Sequence, residues 1–157
     1  MKGRTAPWNV GLMGAFVLAL LAAASCGGDD TGPVAGKVGA LEVTDAYARG
    51  VMDDVAVYFT VKNTGDTDDA LVEASAEVAG MATLHETVTE GVNVRMPPVA
   101  EIEIPAQEEI TLQPGGYHVM LMDLERPLKE GDSIEVRLTF RQAGTATIQV
   151  PVVPYAE

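Results

Sequence analysis

Short runs of alternating apolar and polar residues follow one another along most of the chain from Leu41 onwards. In the clearest run, every second residue from Ile134 to Phe140 is apolar and the residues between are polar or charged. Because side chains on a β-strand point alternately to its two faces, this pattern predicts strands with one buried face. Turn residues such as Gly, Pro, Asn and Asp recur about every ten residues, which is typical of β-sandwiches and barrels. The pattern therefore predicts an all-β fold.

Nine strands are predicted from these runs. They are Leu41–Arg49, Val55–Asn63, Ala82–Val88, Val92–Met96, Glu101–Ile104, Glu109–Leu112, Tyr117–Asp123, Ser133–Phe140 and Thr145–Val150. The interval Ala70–Ala79 also fits a helical stripe, and we interpret it as a strand followed by a loop.

Residues 1–25 are predicted to be an export signal. Two basic residues precede an apolar run from Val10 to Ala24, which at about fifteen residues is shorter than the roughly 20 that a spanning helix needs. The segment LAAASC resembles a lipobox ending at Cys26, the only cysteine of the chain. We therefore expect Cys26 to be lipidated, with ordinary cleavage near Ala24 as the alternative.

Residues 26–40 are predicted to be a flexible tether, because Gly27–Gly39 is rich in Gly, Asp and Pro and has no apolar periodicity. Residues 41–153 then form one domain, which is long enough for a single core. The chain carries a formal net charge of −13. That charge disfavours nucleic acid and anionic membrane surfaces as direct ligands and favours cationic partners, metal ions included.

Two histidines and two methionines form a candidate metal site: His85, Met96, His118 and Met120. They include both histidines of the chain. Because residues two apart on a strand share a face, His118 and Met120 can point to the same place. Met96 ends a predicted strand before two prolines, where it can overhang a sheet edge or rim. Imidazole and thioether donors suit Cu(I), whereas Mg²⁺ and Ca²⁺ prefer oxygen and structural Zn²⁺ usually takes thiolates.

Two further methionines are candidate accessory donors. Met122 lies in the same row as His118, and Met81 precedes His85 by four residues. A lone methionine in a strand more often fills a gap in the core than binds a metal, so packing is the favoured role for both.

The spacing His-x10-Met-x21-His-x-Met resembles that of the PCuAC family of periplasmic or membrane-anchored copper chaperones. Further matching stretches are Ala46–Arg49 (AYAR), Tyr58–Phe59, Leu84–Thr87 (LHET), Pro114–Met122 (PGGYHVMLM) and Arg126–Asp132 (RPLKEGD). The resemblance covers nearly the whole predicted domain. It implies a cupredoxin-like Greek-key β-sandwich or barrel that binds Cu(I) through the four residues above. It also implies delivery of copper to the copper centres of respiratory cytochrome oxidase. We expect this delivery to be direct or through a thiol protein, because thiolate is a softer and stronger donor for Cu(I).

Other functions fit the residues less well. A blue-copper electron carrier needs a cysteine ligand, and Cys26 belongs to the lipobox. An enzyme is not expected, since both histidines are used and no other acid–base constellation stands out. A copper buffering or resistance protein would use the same four ligands and remains the alternative, and a structural sandwich without metal is the remaining possibility. We expect an exported monomer, periplasmic or lipid-anchored at the outer face of the cytoplasmic membrane, without a nucleic-acid partner.

Overall fold

The computed structural model describes residues 34–51 and 53–154, and this part of the chain is built from β-strands. The strands are β1 Val34–Val38, β2 Leu41–Val51, β3 Asp54–Asn63, β4 Asp69–Ser75, β5 Ala79–Glu86, β6 Val88–Glu90, β7 Asn93–Arg95, β8 Ile102–Ile104, β9 Glu109–Leu112, β10 Tyr117–Leu124, β11 Ser133–Phe140 and β12 Gly144–Pro151. The predicted all-β class is confirmed. No helix in these two ranges is long and apolar enough to cross a membrane.

Two sheets enclose the core. A six-stranded sheet has the order β1-β2-β3-β10-β5, with β9 pairing with the second half of β3, and a four-stranded sheet has the order β12-β11-β4-β8. Strands β6 and β7 form a separate hairpin. The inner faces supply the core, in which the fully buried side chains include Val57, Phe59, Leu121, Val136 and Leu138. The opposite face of the six-stranded sheet, here called the outer face, points away from this core.

The predicted tether is wrong over residues 34–38, which form β1 and pair with β2. The glycine content that suggested flexibility has a packing role at Gly36. A Cβ atom at that position would lie 2.6 Å from Cγ2 of Ile148 on β12, so glycine is what lets β1 lie against β12. The predicted export signal, Cys26 and the rest of the predicted tether up to residue 33 lie outside the described residues.

The ambiguous interval before β5 is a strand and a turn. Strand β4 covers its first part, and a short turn leads into β5 at Ala79. The predicted strand Ala82–Val88 is divided, because β5 ends at Glu86 and Val88 begins the β6–β7 hairpin. This division places His85 near the end of β5, next to the hairpin that leads to Met96.

Candidate metal centre

Strand β10 places His118 and Met120 on the outer face of the six-stranded sheet. Its alternate residues Val119 and Leu121 are fully buried in the core, so the residues between them must point the other way. The predicted row of His118, Met120 and Met122 is therefore confirmed. Val119 and Leu121 hold the strand in place, and they fix the face on which the row lies.

His85 lies directly across from His118. The two are register partners in the antiparallel pair of β5 and β10. Their rings are stacked, with centroids 5.6 Å apart and planes 26° from parallel. Met120, one step along the row, has Thr83 as its partner on β5.

Met96 reaches the site through the backbone that follows the β6–β7 hairpin. Residues 96–99, here called the strap, run along the free edge of β5. The Met96 carbonyl accepts a hydrogen bond from Nδ1 of His85 at 2.7 Å, and the Pro97 carbonyl accepts one from the backbone N–H of Glu86 at 3.1 Å. The backbone N–H of Val99 completes the attachment by donating to the Leu84 carbonyl at 2.9 Å.

Both histidines are held in the same tautomer. A carbonyl oxygen can only accept, so Nδ1 of His85 carries a proton and donates it to Met96. By the same argument Nδ1 of His118 donates to the Gly116 carbonyl at 3.2 Å. The Nε2 atom of each neutral ring then has a free lone pair, which is the arrangement found in metal-binding histidines.

The surroundings of His118 favour its neutral, metal-binding form. The side chain is only 2% exposed, and its Nε2 has no hydrogen-bond partner among the described residues. Burial lowers the pKa of this imidazole. The hydrogen bond to the Gly116 carbonyl raises the pKa, and repulsion from the His85 ring when that ring is protonated lowers it. A buried nitrogen lone pair without a partner is costly for a fold, and a bound cation would satisfy it.

The site lies at a sheet edge, which is one of the two positions, edge or rim, that the sequence predicts for Met96. It lies on the outer face beside the β5 edge, and it extends from a buried residue, His118, to an exposed one, Met96, whose side chain is 48% exposed. The structure brings His85, His118 and Met120 together on this face, and the strap brings Met96 to its edge. These four residues could hold a soft metal ion.

The two accessory methionines are register partners, Met122 on β10 and Met81 on β5. Met122 is partly buried, whereas Met81 is 52% exposed. Core packing, the role favoured for both from the sequence, therefore does not account for Met81.

Aromatic residues beside His118 were not predicted. The ring of Tyr58 on β3 lies with its centroid 6.2 Å from that of His118, and the ring of Tyr47 on β2 lies 5.1 Å from that of Tyr58. The Arg49 guanidinium covers the Tyr47 ring at 5.1 Å. The sequence does contain a signal for them. Tyr58 stands at an outward-facing position of β3, where a strand face exposed to water would carry a polar residue.

Comparisons with known proteins agree with this fold. The family model described as "Putative lipoprotein LpqE-like" matches residues 41–152. The "Putative lipoprotein Lxx21020" of Leifsonia xyli subsp. xyli is 36% identical over 114 residues, covering 71% of this chain and 69% of the relative.

Solved structures are similar over most of the described residues. The solution structure of CuI-DR1885 from Deinococcus radiodurans is 32% identical, with a TM-score of 0.58 over 83% of this chain and 85% of that one. The apo PCuAC domain from PmoF1 is 30% identical, with a TM-score of 0.65 over 76% of this chain and 98% of that one. These neighbours confirm the predicted cupredoxin-like β-fold and the resemblance to PCuAC domains.

Proposed function

The chain belongs to the LpqE-like family, which is of PCuAC type, and from that membership we propose that it is an extracytoplasmic carrier of Cu(I). The cargo ion would be held by His85, Met96, His118 and Met120. The observation that carries this proposal is the facing pair of histidines, each with Nδ1 hydrogen-bonded to a carbonyl and Nε2 left free.

The chemistry of the donors supports copper as the cargo. Two neutral imidazoles and two thioethers form a soft donor set without a thiolate, which suits Cu(I) better than Zn²⁺ or harder cations. Such donors also resist the oxidation to which thiolates are prone outside the cytoplasm. A relative with 32% identity, CuI-DR1885, is a Cu(I) protein by its own description.

The gradient of exposure across the site supports transfer of the ion rather than permanent retention. Met96 is 48% exposed and His118 is 2% exposed. An incoming ligand from a partner would therefore replace the Met96 thioether first and the His118 imidazole last. Thiolate is a stronger donor for Cu(I) than thioether, so a cysteine-bearing acceptor would draw the ion away.

We propose delivery at a membrane surface, to a copper centre of cytochrome oxidase or to a thiol protein that serves it. Lipidation of Cys26 would keep the carrier close to such an acceptor. The alternative is a buffer that sequesters Cu(I) without a dedicated acceptor, using the same four ligands.

Binding is tested by anaerobic titration of the chain with Cu(I) in competition with a chromophoric chelator. All proteins carry Cys26→Ser, so that a free thiol does not compete. We expect the His85→Ala, His118→Ala double variant to lose its tight binding of Cu(I). Thr83→Val is the matched control, because it changes the outer face opposite Met120 without removing a nitrogen or sulfur donor. Unchanged Cu(I) competition by the double variant would refute the site.

Delivery is tested by deleting the gene and growing cells under copper limitation and under copper excess. The carrier proposal predicts reduced oxidase activity under limitation, restored by added copper. Normal oxidase activity combined with copper hypersensitivity would favour the buffer.

A further inference from the structure

The outer face of the β5–β10 pair carries three successive cross-strand pairs. They are His118 with His85, Met120 with Thr83, and Met122 with Met81. Successive pairs are two residues apart along each strand, which corresponds to about 6.8 Å. Sulfur donors therefore continue along this face beyond the four residues of the proposed site.

The last pair brings two thioethers together. Residues directly opposite in an antiparallel pair have Cβ atoms about 4.5–5.5 Å apart, and methionine side chains are long and flexible enough to contact one ion from such positions. Met122 is partly buried, while Met81 is 52% exposed and is among the few large apolar side chains on the described surface. Exposure of Met81 leaves its sulfur accessible to an ion arriving from solvent.

We propose that Met81 and Met122 form a second, weaker Cu(I)-binding position beside the four-ligand site. This inference rests on the proposed function, because it takes the same ion as its ligand. Two thioethers without an imidazole bind Cu(I) less tightly than the complete set. Neutral sulfur donors also discriminate against hard cations such as Ca²⁺ and Mg²⁺. Met120 occupies the row between the two positions, so an ion could pass from one position to the other.

Negative charge near the second position favours the approach of a cation. Met122 is followed by Asp123, which lines a surface cavity together with Asp53 and Asp54. Carboxylates are hard donors and are poor ligands for Cu(I). Their contribution is a negative potential around the part of β10 that follows Met122, which raises the local concentration of cations there.

The test is a titration of the chain with Ag(I), a redox-inert soft monovalent ion, and with anaerobic Cu(I), followed by NMR of ¹³C-labelled methionine methyl groups. All proteins carry Cys26→Ser. We expect the first equivalent to shift the methyl signals of Met96 and Met120, and the second to shift those of Met81 and Met122. The Met81→Leu, Met122→Leu double variant keeps the apolar volume and should bind one equivalent, with first-site affinity changed by less than about twofold.

The outcomes separate this inference from the proposed function. One equivalent in the unsubstituted chain, with unmoved Met81 and Met122 signals, would overturn the second position and leave the first intact. A second equivalent that persists in the double leucine variant would also overturn it. No binding of either equivalent would remove the proposed function itself. Val92→Ala, which trims an exposed residue of the hairpin, is the control and should retain both equivalents.

Discussion

Replacing His118 with leucine should stabilise the metal-free protein while abolishing its response to copper. In the metal-free protein the Nε2 atom of His118 is buried without a partner among the described residues. A buried polar group without a partner costs about 1–3 kcal/mol. Leucine has a similar volume and no polar atom, so it removes this cost.

The substitution also removes one hydrogen bond, from Nδ1 of His118 to the Gly116 carbonyl. A neutral hydrogen bond contributes about 0.5–1.5 kcal/mol net. The carbonyl is not left without a partner, because it also accepts from the backbone N–H of Thr87 at 3.0 Å. The balance predicts that the free energy of unfolding rises by about 1 kcal/mol in His118→Leu.

Urea denaturation under anaerobic conditions measures this change, first with a chelator present and then with Cu(I). A ligand at 100 times its dissociation constant adds about 2.7 kcal/mol to a protein that binds it. The order of stability should therefore invert: His118→Leu is the more stable protein without copper, and the unsubstituted chain is the more stable one with copper.

Met120→Leu is the control, because it replaces a thioether side chain with an apolar side chain of similar volume. It should leave the stability of the metal-free protein unchanged within about 1 kcal/mol and should weaken the copper response. A metal-free His118→Leu protein that is less stable than the unsubstituted chain would refute the reasoning. It would show that the imidazole stabilises the fold in its own right.

Three further predictions concern residues away from the site. Asp69→Ala removes the acceptor of three backbone N–H groups and should lower the free energy of unfolding by about 3 kcal/mol, measured by urea denaturation. The hydrogen bond from Arg126 holds the pKa of the Asp132 carboxyl below its usual range. The stabilisation from this hydrogen bond is present above the unfolded pKa of about 4 and is lost as the pH falls through the lower folded pKa. The urea midpoints of the unsubstituted chain and Asp132→Asn should therefore differ at pH 7 and converge in acid. Gly36→Ala places a Cβ atom 2.6 Å from Ile148 and should cost about 1–3 kcal/mol, with faster amide exchange in β1 as the local readout.

The local pattern was sufficient to predict most strands and the row of donors on β10. Alternation with a period of two fixes which residues share a face, and this is why Ser133–Phe140 and the His118 row were both predicted correctly. Strand β1 was missed because its glycine content is indistinguishable, in sequence, from that of a linker. Only the close approach of Gly36 to β12 explains that glycine.

The local sequence pattern could not predict how the residues of the site come together. The facing of His85 and His118 depends on the register between β5 and β10, which is fixed by packing across the whole sheet. The hydrogen bond from His85 to the Met96 carbonyl depends on the path of the strap, and the two residues are eleven positions apart. The tyrosine beside His118 comes from a third strand, β3. Each of these is a tertiary relationship that no short window of sequence contains.

The strap has a second consequence, for the colloidal behaviour of the protein. Strand β5 is at the end of its sheet, and an unpaired strand edge is a template on which another molecule can add a strand and begin an aggregate. The strap occupies part of that edge, and Pro97 and Pro98 offer no N–H group to a further strand. A shortened strap would therefore do more than remove Met96 from the site. It would uncover the edge and make the protein prone to self-association, so that loss of Met96 and loss of solubility would arise from the same deletion.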